Sequence, residues 1–170
     1  MHWGRSTESD LTRSEVSSNY RGSLTIHSCP IALVRHVEWS LQSITGIQKF
    51  NWRNQPMVAG AQRMQLEWRR GKDLIPETVT ALKSWHYLRF EANSETEIFR
   101  FTPDLGLHRA TIDSLGSILL TENQIRSALD SFDMEITREK LELALGANWE
   151  QELEPFRGVD LQEVSHLRAI

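Results

Sequence analysis

Three groupings of side chains in this chain have types and spacings that can do chemistry. The run His27-Ser28-Cys29-Pro30 brings an imidazole, a hydroxyl and a thiol to what reads as a strand–helix junction. A thiol at a helix N-terminus feels the macrodipole and the free N–H groups, which favour the thiolate. Two residues apart on an extended strand end, however, His27 and Cys29 are hard to aim at one another. The spacing therefore favours a structural role for Cys29, capping the helix, over a Cys-His nucleophile.

The second grouping comes from strand alternation. If Leu24, Ile26, Leu66, Leu88 and Phe90 face a core, then Thr25, His27, Gln65, Glu67, Tyr87, Arg89 and Glu91 share the opposite sheet face. There Arg89 could hold an anionic ligand while His27 and Glu91 manage protons. The competing reading is an ordinary solvated face with weak cross-strand ion pairs. The candidate ligand-binding set is thus His27, Arg89, Glu91, Glu67 and Tyr87.

The third grouping is residues 48–72, where Lys49, Arg53, Arg63, Arg69, Arg70 and Lys72 stand against Glu67 alone, with Trp52 and Trp68 interleaved. Basic plus aromatic raises RNA binding. Against it, both tryptophans share strand parity with Phe50, Met64 and Leu66, which places them in the core rather than on an open platform. No catalytic residue follows from any of these groupings. The six histidines make no close pair at zinc-type spacing, and no Gly-rich phosphate loop or nucleophile elbow occurs, so no metal or cofactor is expected.

These side chains need a frame. Leu24 and Ile26 alternate with Thr25 and His27 in a first strand, and Pro30 opens a helix whose Val34, Val37, Leu41 and Ile44 form one face, stopped by Gly46. Phe50 with Trp52, and Met64 with Leu66 and Trp68, read as a long-looped hairpin. Pro76 starts a second helix with Val79, Leu82 and Trp85 inward, and Leu88 and Phe90 mark a fourth strand. The order is β-α-β-β-α-β, a ferredoxin-like α+β core. Residues 97–102 and 107–112, either side of Pro103-Asp104-Leu105-Gly106, and then 117–120, predict three further antiparallel strands. Thr121 with Gln124 makes a capping box, Thr137 can cap a helix stopped by Gly146, and Trp149 and Leu153 stand one turn apart before Pro155.

One hundred and seventy residues suit a single domain, and a 39% apolar share is enough for a core without staples. A single cysteine excludes an intramolecular disulfide and fits a reducing cytoplasm. The sequence shows no signal peptide and no apolar run of membrane-spanning length, so no membrane partner is expected. Residues 1–20 carry 2 basic and 3 acidic side chains, 21–120 carry 12 and 9, and 121–170 carry 5 and 11. An acidic net charge of −4 argues against a protein devoted to coating nucleic acid. The expected organisation is a flexible arm at 1–20, a sheet body at 21–120, a docked helical extension at 121–157 and a tail at 158–170.

Several separate signatures resemble an uncharacterised actinobacterial domain-of-unknown-function family: His36-Val37-Glu38-Trp39, Trp52 with Gln55-Pro56, Leu88-Arg89-Phe90-Glu91, Thr102-Pro103 with Leu105-Gly106, Leu145-Gly146 with Trp149-Glu150, and Leu153-Glu154-Pro155-Phe156-Arg157. The likeness runs from about Arg21 to Arg157 and implies a cytoplasmic bacterial protein with a partner linked to lipid metabolism. It supplies no activity and no catalytic residue. The residues themselves favour a non-catalytic ligand- or protein-binding, regulatory module, with a small enzyme or anionic-ligand site on the polar sheet face, and RNA binding through 48–72, as alternatives. His36 and Trp39 lie opposite the apolar stripe of their helix, so that Trp39 needs a cover. The expected internal cover is the acidic extension, docking through Trp149, Leu153 and Phe156; the alternative cover is a partner protein.

Overall fold

The protein, analysed as a computed structural model, is described over residues 19–168; the arm expected at 1–20 lies almost wholly outside the described residues. The chain runs β1 (Tyr20–Pro30), a 3-10 turn (Ile31–Leu33), α1 (Val34–Thr45), β2 (Arg53–Asn54), β3 (Ala61–Arg70), α2 (Ile75–Leu82) and β4 (Arg89–Asn93). Then follow β5 (Glu97–Thr102), β6 (Gly106–Ile112), β7 (Ile118–Leu119), α3 (Glu122–Leu129), α4 (Met134–Leu145) and α5 (Ala147–Arg168). The sheet order is β2-β3-β1-β4-β5-β6-β7, with every neighbouring pair antiparallel. The fold is α+β.

Alternation decides which face each strand gives to which layer. Leu24, Ile26, Met64, Trp68, Phe90, Ala92, Phe99 and Phe101 form the core with Val37 and Leu41 of α1 and Ile75, Val79 and Leu82 of α2. Phe90 and Phe101, partners across β4 and β5, stack with ring centroids 5.3 Å apart. The opposite face carries Thr25, Gln65, Glu91, Arg100 and His108 in register, and α5 lies over it.

Four local expectations change. Phe50 and Trp52 are not in a strand; they are half-buried loop side chains packed against the core, and Trp52 Nε1 donates to Glu38 Oε1 at 2.8 Å. Their alternation reflects a loop plugging the core edge rather than strand pairing, which begins only at Arg53. The helix start near Pro30 moves to Val34, since β1 itself runs to Pro30. Asp133, not Thr137, caps α4, its carboxylate accepting from Glu135 N at 2.9 Å, while the Thr137 hydroxyl donates to the carbonyls of Ala128 and Asp133.

The fourth change matters most: α5 passes through Pro155 and continues to Arg168, so no break separates a docked extension from a tail at residue 158. A proline inside a helix costs about 3 kcal/mol through its lost hydrogen bond and ring clash. Pro155 is exposed, whereas Trp149, Leu153, Phe156 and Val159 are buried along one side. Each large apolar side chain buried contributes roughly 1.5–3 kcal/mol, so the burial outweighs the proline.

Candidate functional site

A bulge in β1 builds the site. Between Ile26 and Cys29 the register against β3 gains one extra residue, and the register against β4 shifts between Ile26 and Ser28. The shift breaks strict alternation: Cys29 falls into the core, while His27 and Ser28 both meet groups on the α5 side. Gln55, itself buried, secures the bulge by donating to the His27 carbonyl at 2.7 Å and accepting from Met57 N.

His27 Nε2 donates to Glu91 Oε2 at 2.7 Å. Arg157, projecting from α5, grips the same carboxylate with two guanidinium nitrogens, Nε at 3.0 Å from Oε2 and Nη2 on Oε1. Burial raises the cost of the Glu91 charge, but hydrogen bonds and charge from His27 and Arg157 overcome it and lower the carboxyl to about 2. In return, the hydrogen bonds and charge of Glu91, and after it Glu150, raise the Arg157 pKa against the opposing effect of burial. Arg157 also reaches Glu150 and Glu154, and Glu150 in turn accepts from Arg100 Nη1 at 2.6 Å. Arg100, almost wholly buried, gives Nη2 to the Leu145 carbonyl at 2.9 Å, closing the C-terminal end of α4.

Two further sets of contacts hold the ends of α5. At its start, Trp149 Nε1 donates to the Gly106 carbonyl at 2.9 Å and its ring lies 5.0 Å from that of His108, which donates to the Ala144 carbonyl. Burial lowers the His108 pKa, the Ala144 bond opposing it and the Arg100 charge adding to it. Toward the other end, Arg63 is bound by Asp160 and Glu163, Arg53 joins Glu163 at 2.6 Å, and Gln65 donates to Asp160 at 3.2 Å.

The sequence-selected residues divide accordingly. His27, Arg89 and Glu91 come together: Arg89 donates to the Ser28 hydroxyl at 3.2 Å and lies 5.2 Å above the Phe156 ring, which also stands 6.2 Å from the His27 ring. Glu67 and Tyr87 do not join them. Glu67 is exposed and pairs with Arg21 at 3.3 Å, and Tyr87 is exposed ahead of β4. Cys29 caps no helix; it is buried in the core, and that burial pushes its thiol up to about 12, away from the thiolate. Of the docking set, Trp149, Leu153 and Phe156 are buried, but Trp39 is 73% exposed on α1, which packs against the sheet face opposite α5. Its expected cover by the extension is therefore wrong. His36 stacks 5.8 Å from Trp85 instead of meeting an acidic residue of the extension.

Chemically the network is closed around His27, while Asn93 Oδ1, Arg100 Nε and His108 Nδ1 are buried without a hydrogen-bond partner. His27 is 2% exposed and its Nε2 is engaged by Glu91, so no substrate can approach it. A cleft of about 390 Å³ beside α5 is lined by Thr25, Glu91, Asn93, Arg100, Glu150 and Arg157, among others. Its two guanidiniums face two carboxylates, leaving no surplus charge for an anion. The basic hairpin is likewise altered: Trp68 is buried, Trp52 is half-buried, and Arg53 and Arg63 are held by the acids of α5.

The open surface lies elsewhere. The α3–α4 hairpin buries only Ala128 among its helical residues, while Leu129 is 67% exposed, Met134 85%, and Phe132 in the connection fully so. A groove of about 580 Å³ runs along α4 past Met134, Thr137, Arg138, Leu141 and Leu145. A family model for proteins of unknown function, DUF3145, matches residues 23–169. The chain belongs to this family. No curated protein and no solved structure matches it. The family has no described function, so only the geometry of this member can suggest one. Among the described residues, no helix is long and apolar enough to cross a membrane.

Sequence reasoning passed over Arg100, Arg157, Glu150 and the Arg63–Asp160–Glu163 cluster. A signal for Arg100 was present: in 97–102 it alternates with Phe99 and Phe101, placing it beside Glu91 on a face that needs a counter-charge. Arg157 follows Leu153 by four residues, one helical turn, a spacing that puts it beside the docking residues once the helix is carried through Pro155.

Proposed function

We propose that this protein is a non-catalytic protein-binding module of the bacterial cytoplasm, from an actinobacterial source, built on a ferredoxin-like core. In this reading α5 closes the polar sheet face and the α3–α4 hairpin presents the working surface. The observation that carries it is the uncovered apolar run of Leu129, Phe132 and Met134 beside the α4 groove. Contiguous exposed apolar patches mark interaction sites, because leaving them in water forgoes roughly 25 cal/mol for each Å² that a partner would cover. The closed network around His27 supports binding over catalysis. A link of the partner to lipid metabolism belongs to the same proposal.

The test is in-cell crosslinking with a photoreactive residue in place of Met134, and in place of exposed Lys83 as control. A discrete protein adduct at 134 and none at 83 is expected. The adduct partner, once purified, should bind the wild-type chain at least about tenfold more tightly than the Phe132→Ser/Met134→Ser variant. Absence of any adduct at 134, together with a stoichiometric small molecule on the purified protein, would replace this reading with the ligand-binding one.

A further inference from the structure

Resting on that reading, we infer that the α4 groove receives an amphipathic helix with an apolar stripe and basic flanks. Three features of α4 point there. Along α4, Met134, Arg138, Leu141 and Leu145 follow one another at spacings of four, three and four. That is the a/d spacing of a seam facing another helix, and these residues line the groove. The seam is not the face α4 gives to its own chain: α3 meets it through Thr137 and Lys140, whose hydroxyl and ammonium reach the carbonyls of Ala128 and Ser127. Met134, Arg138 and Leu145 are exposed and Leu141 is half-buried, so the seam lies beside that contact and is open to a helix that the described residues do not supply.

Charge then selects the occupant. At 100° per residue, Glu135, Glu139 and Glu142 fall along one edge of the seam, spaced by four and three. Arg138 pairs with Glu142 at 2.8 Å, and no ion pair holds Glu135 or Glu139 among the described residues. Residues 121–146 as a whole carry 6 acidic and 3 basic side chains. The other acids of the extension are differently placed, since Glu150, Asp160 and Glu163 already meet arginines of the body. A second copy of this chain would bring a like-charged edge to the seam, which costs affinity, whereas Lys or Arg flanking an apolar stripe would meet Glu135 and Glu139.

The test uses the full chain and two fluorescent helical peptides of about 18 residues with the same leucine stripe, one with lysine flanks and one with glutamate flanks. The lysine peptide should bind at least about tenfold more tightly at low salt, and raising the salt should narrow the gap. Glu135→Lys/Glu139→Lys should reverse the preference, while Met134→Ser/Leu145→Ser should weaken both peptides. Both seam residues are exposed, so the variants should keep the wild-type melting temperature. Equal binding of the two peptides, or none, would overturn the inference. So would a dimer in sedimentation equilibrium that Met134→Ser/Leu145→Ser dissociates, since the seam would then belong to a second copy. An in-cell adduct at 134 to a partner segment without basic flanks would remove this inference and leave the binding reading standing.

Discussion

The α3–α4 hairpin and α5 arise from one acidic stretch of sequence, and the body treats them differently. α5 finds arginines waiting on the sheet: Arg100 takes Glu150, and Arg63 with Arg53 takes Asp160 and Glu163, while Leu153 and Phe156 sink between these anchors. The hairpin finds nothing comparable. Its own pairs, Glu122–Arg126 and Arg138–Glu142, are local, one helical turn long, and highly exposed on at least one side. Pairs of that kind contribute a few tenths of a kcal/mol and tie a helix to itself rather than to a body. Charge complementarity on the sheet positions α5, and apolar burial holds it; the absence of both at α3–α4 leaves that surface open.

The most severe way to break the comparison is to end the chain after Leu120. This uncovers His27, Arg63 and Arg100 on the sheet, and two of these are guanidiniums that lose their carboxylates. Trp149, Leu153, Phe156 and Val159 also lose their burial, at roughly 1.5–3 kcal/mol each, so the loss is comparable to the whole stability of a small domain. The expected product is aggregation-prone with no cooperative thermal melt; a soluble, sharply melting fragment would show that α5 is only an accessory. Single residues give the matched contrast. Leu153→Ala, at a fully buried site, should cost about 2–5 kcal/mol in denaturant unfolding, and Leu129→Ala on α3 under about 0.5. Similar losses at both sites would erase the distinction.

Gly146 joins the two regions and tests them together. Its φ of 71° is left-handed, and a Cβ there would stand 2.6 Å from His108 Cε1 and 2.8 Å from Arg100 Nη2. Gly146→Ala should therefore destabilise by more than about 2 kcal/mol, combining backbone strain with displacement of the α4–α5 corner. Gly116, also at positive φ but with open space around it, should cost less on the same change, by the backbone term alone. Equal losses in thermal unfolding would show that the crowding at the corner relaxes freely.

Much of this frame is legible in the sequence alone. The strands around Leu24, Leu66, Phe90, Phe99 and Ala110 follow from period-two patterning, and the capping box at Thr121 and Gln124 appears as the spacing indicates. The polar-face set was half legible: His27, Arg89 and Glu91 meet because alternation places them together. The α5 contribution was not, because Pro155 is a local signal against a helix, while the burial that overrides it depends on a sheet face assembled from distant strands. The β1 bulge is illegible for a similar reason, since Gln55, which secures it at the His27 carbonyl, is far along the chain. Trp39 shows the converse: its place opposite the apolar stripe predicts a cover, the extension first and a partner protein second, and among the described residues it stands 73% exposed.

The gentlest probe is pH, and it acts on the covered region alone. Glu91 falls from an ordinary 4.5 to about 2 in the fold, so the unfolded chain binds its proton at a higher pH than the native one. Stability from this group is then fully present above about 4.5 and is lost as pH falls from there toward 2, amounting at most to about 3 kcal/mol. His108 acts with the same sign at higher pH: its folded pKa lies below 6.5, so its contribution is present above 6.5 and declines as pH falls through its folded value. Acid unfolding followed by circular dichroism should show both slopes. Glu91→Gln should flatten the lower one and His108→Gln the upper, whereas Glu135→Gln on the open hairpin should alter neither. The comparison sharpens further if Glu91→Gln also accelerates exchange of amide hydrogens in α5 while α3 and α4 keep wild-type rates, because Arg157 would lose its charged partner there. If α3 and α4 loosened equally, the two regions would open as one unit and the hairpin would owe its order to the buried carboxylate after all.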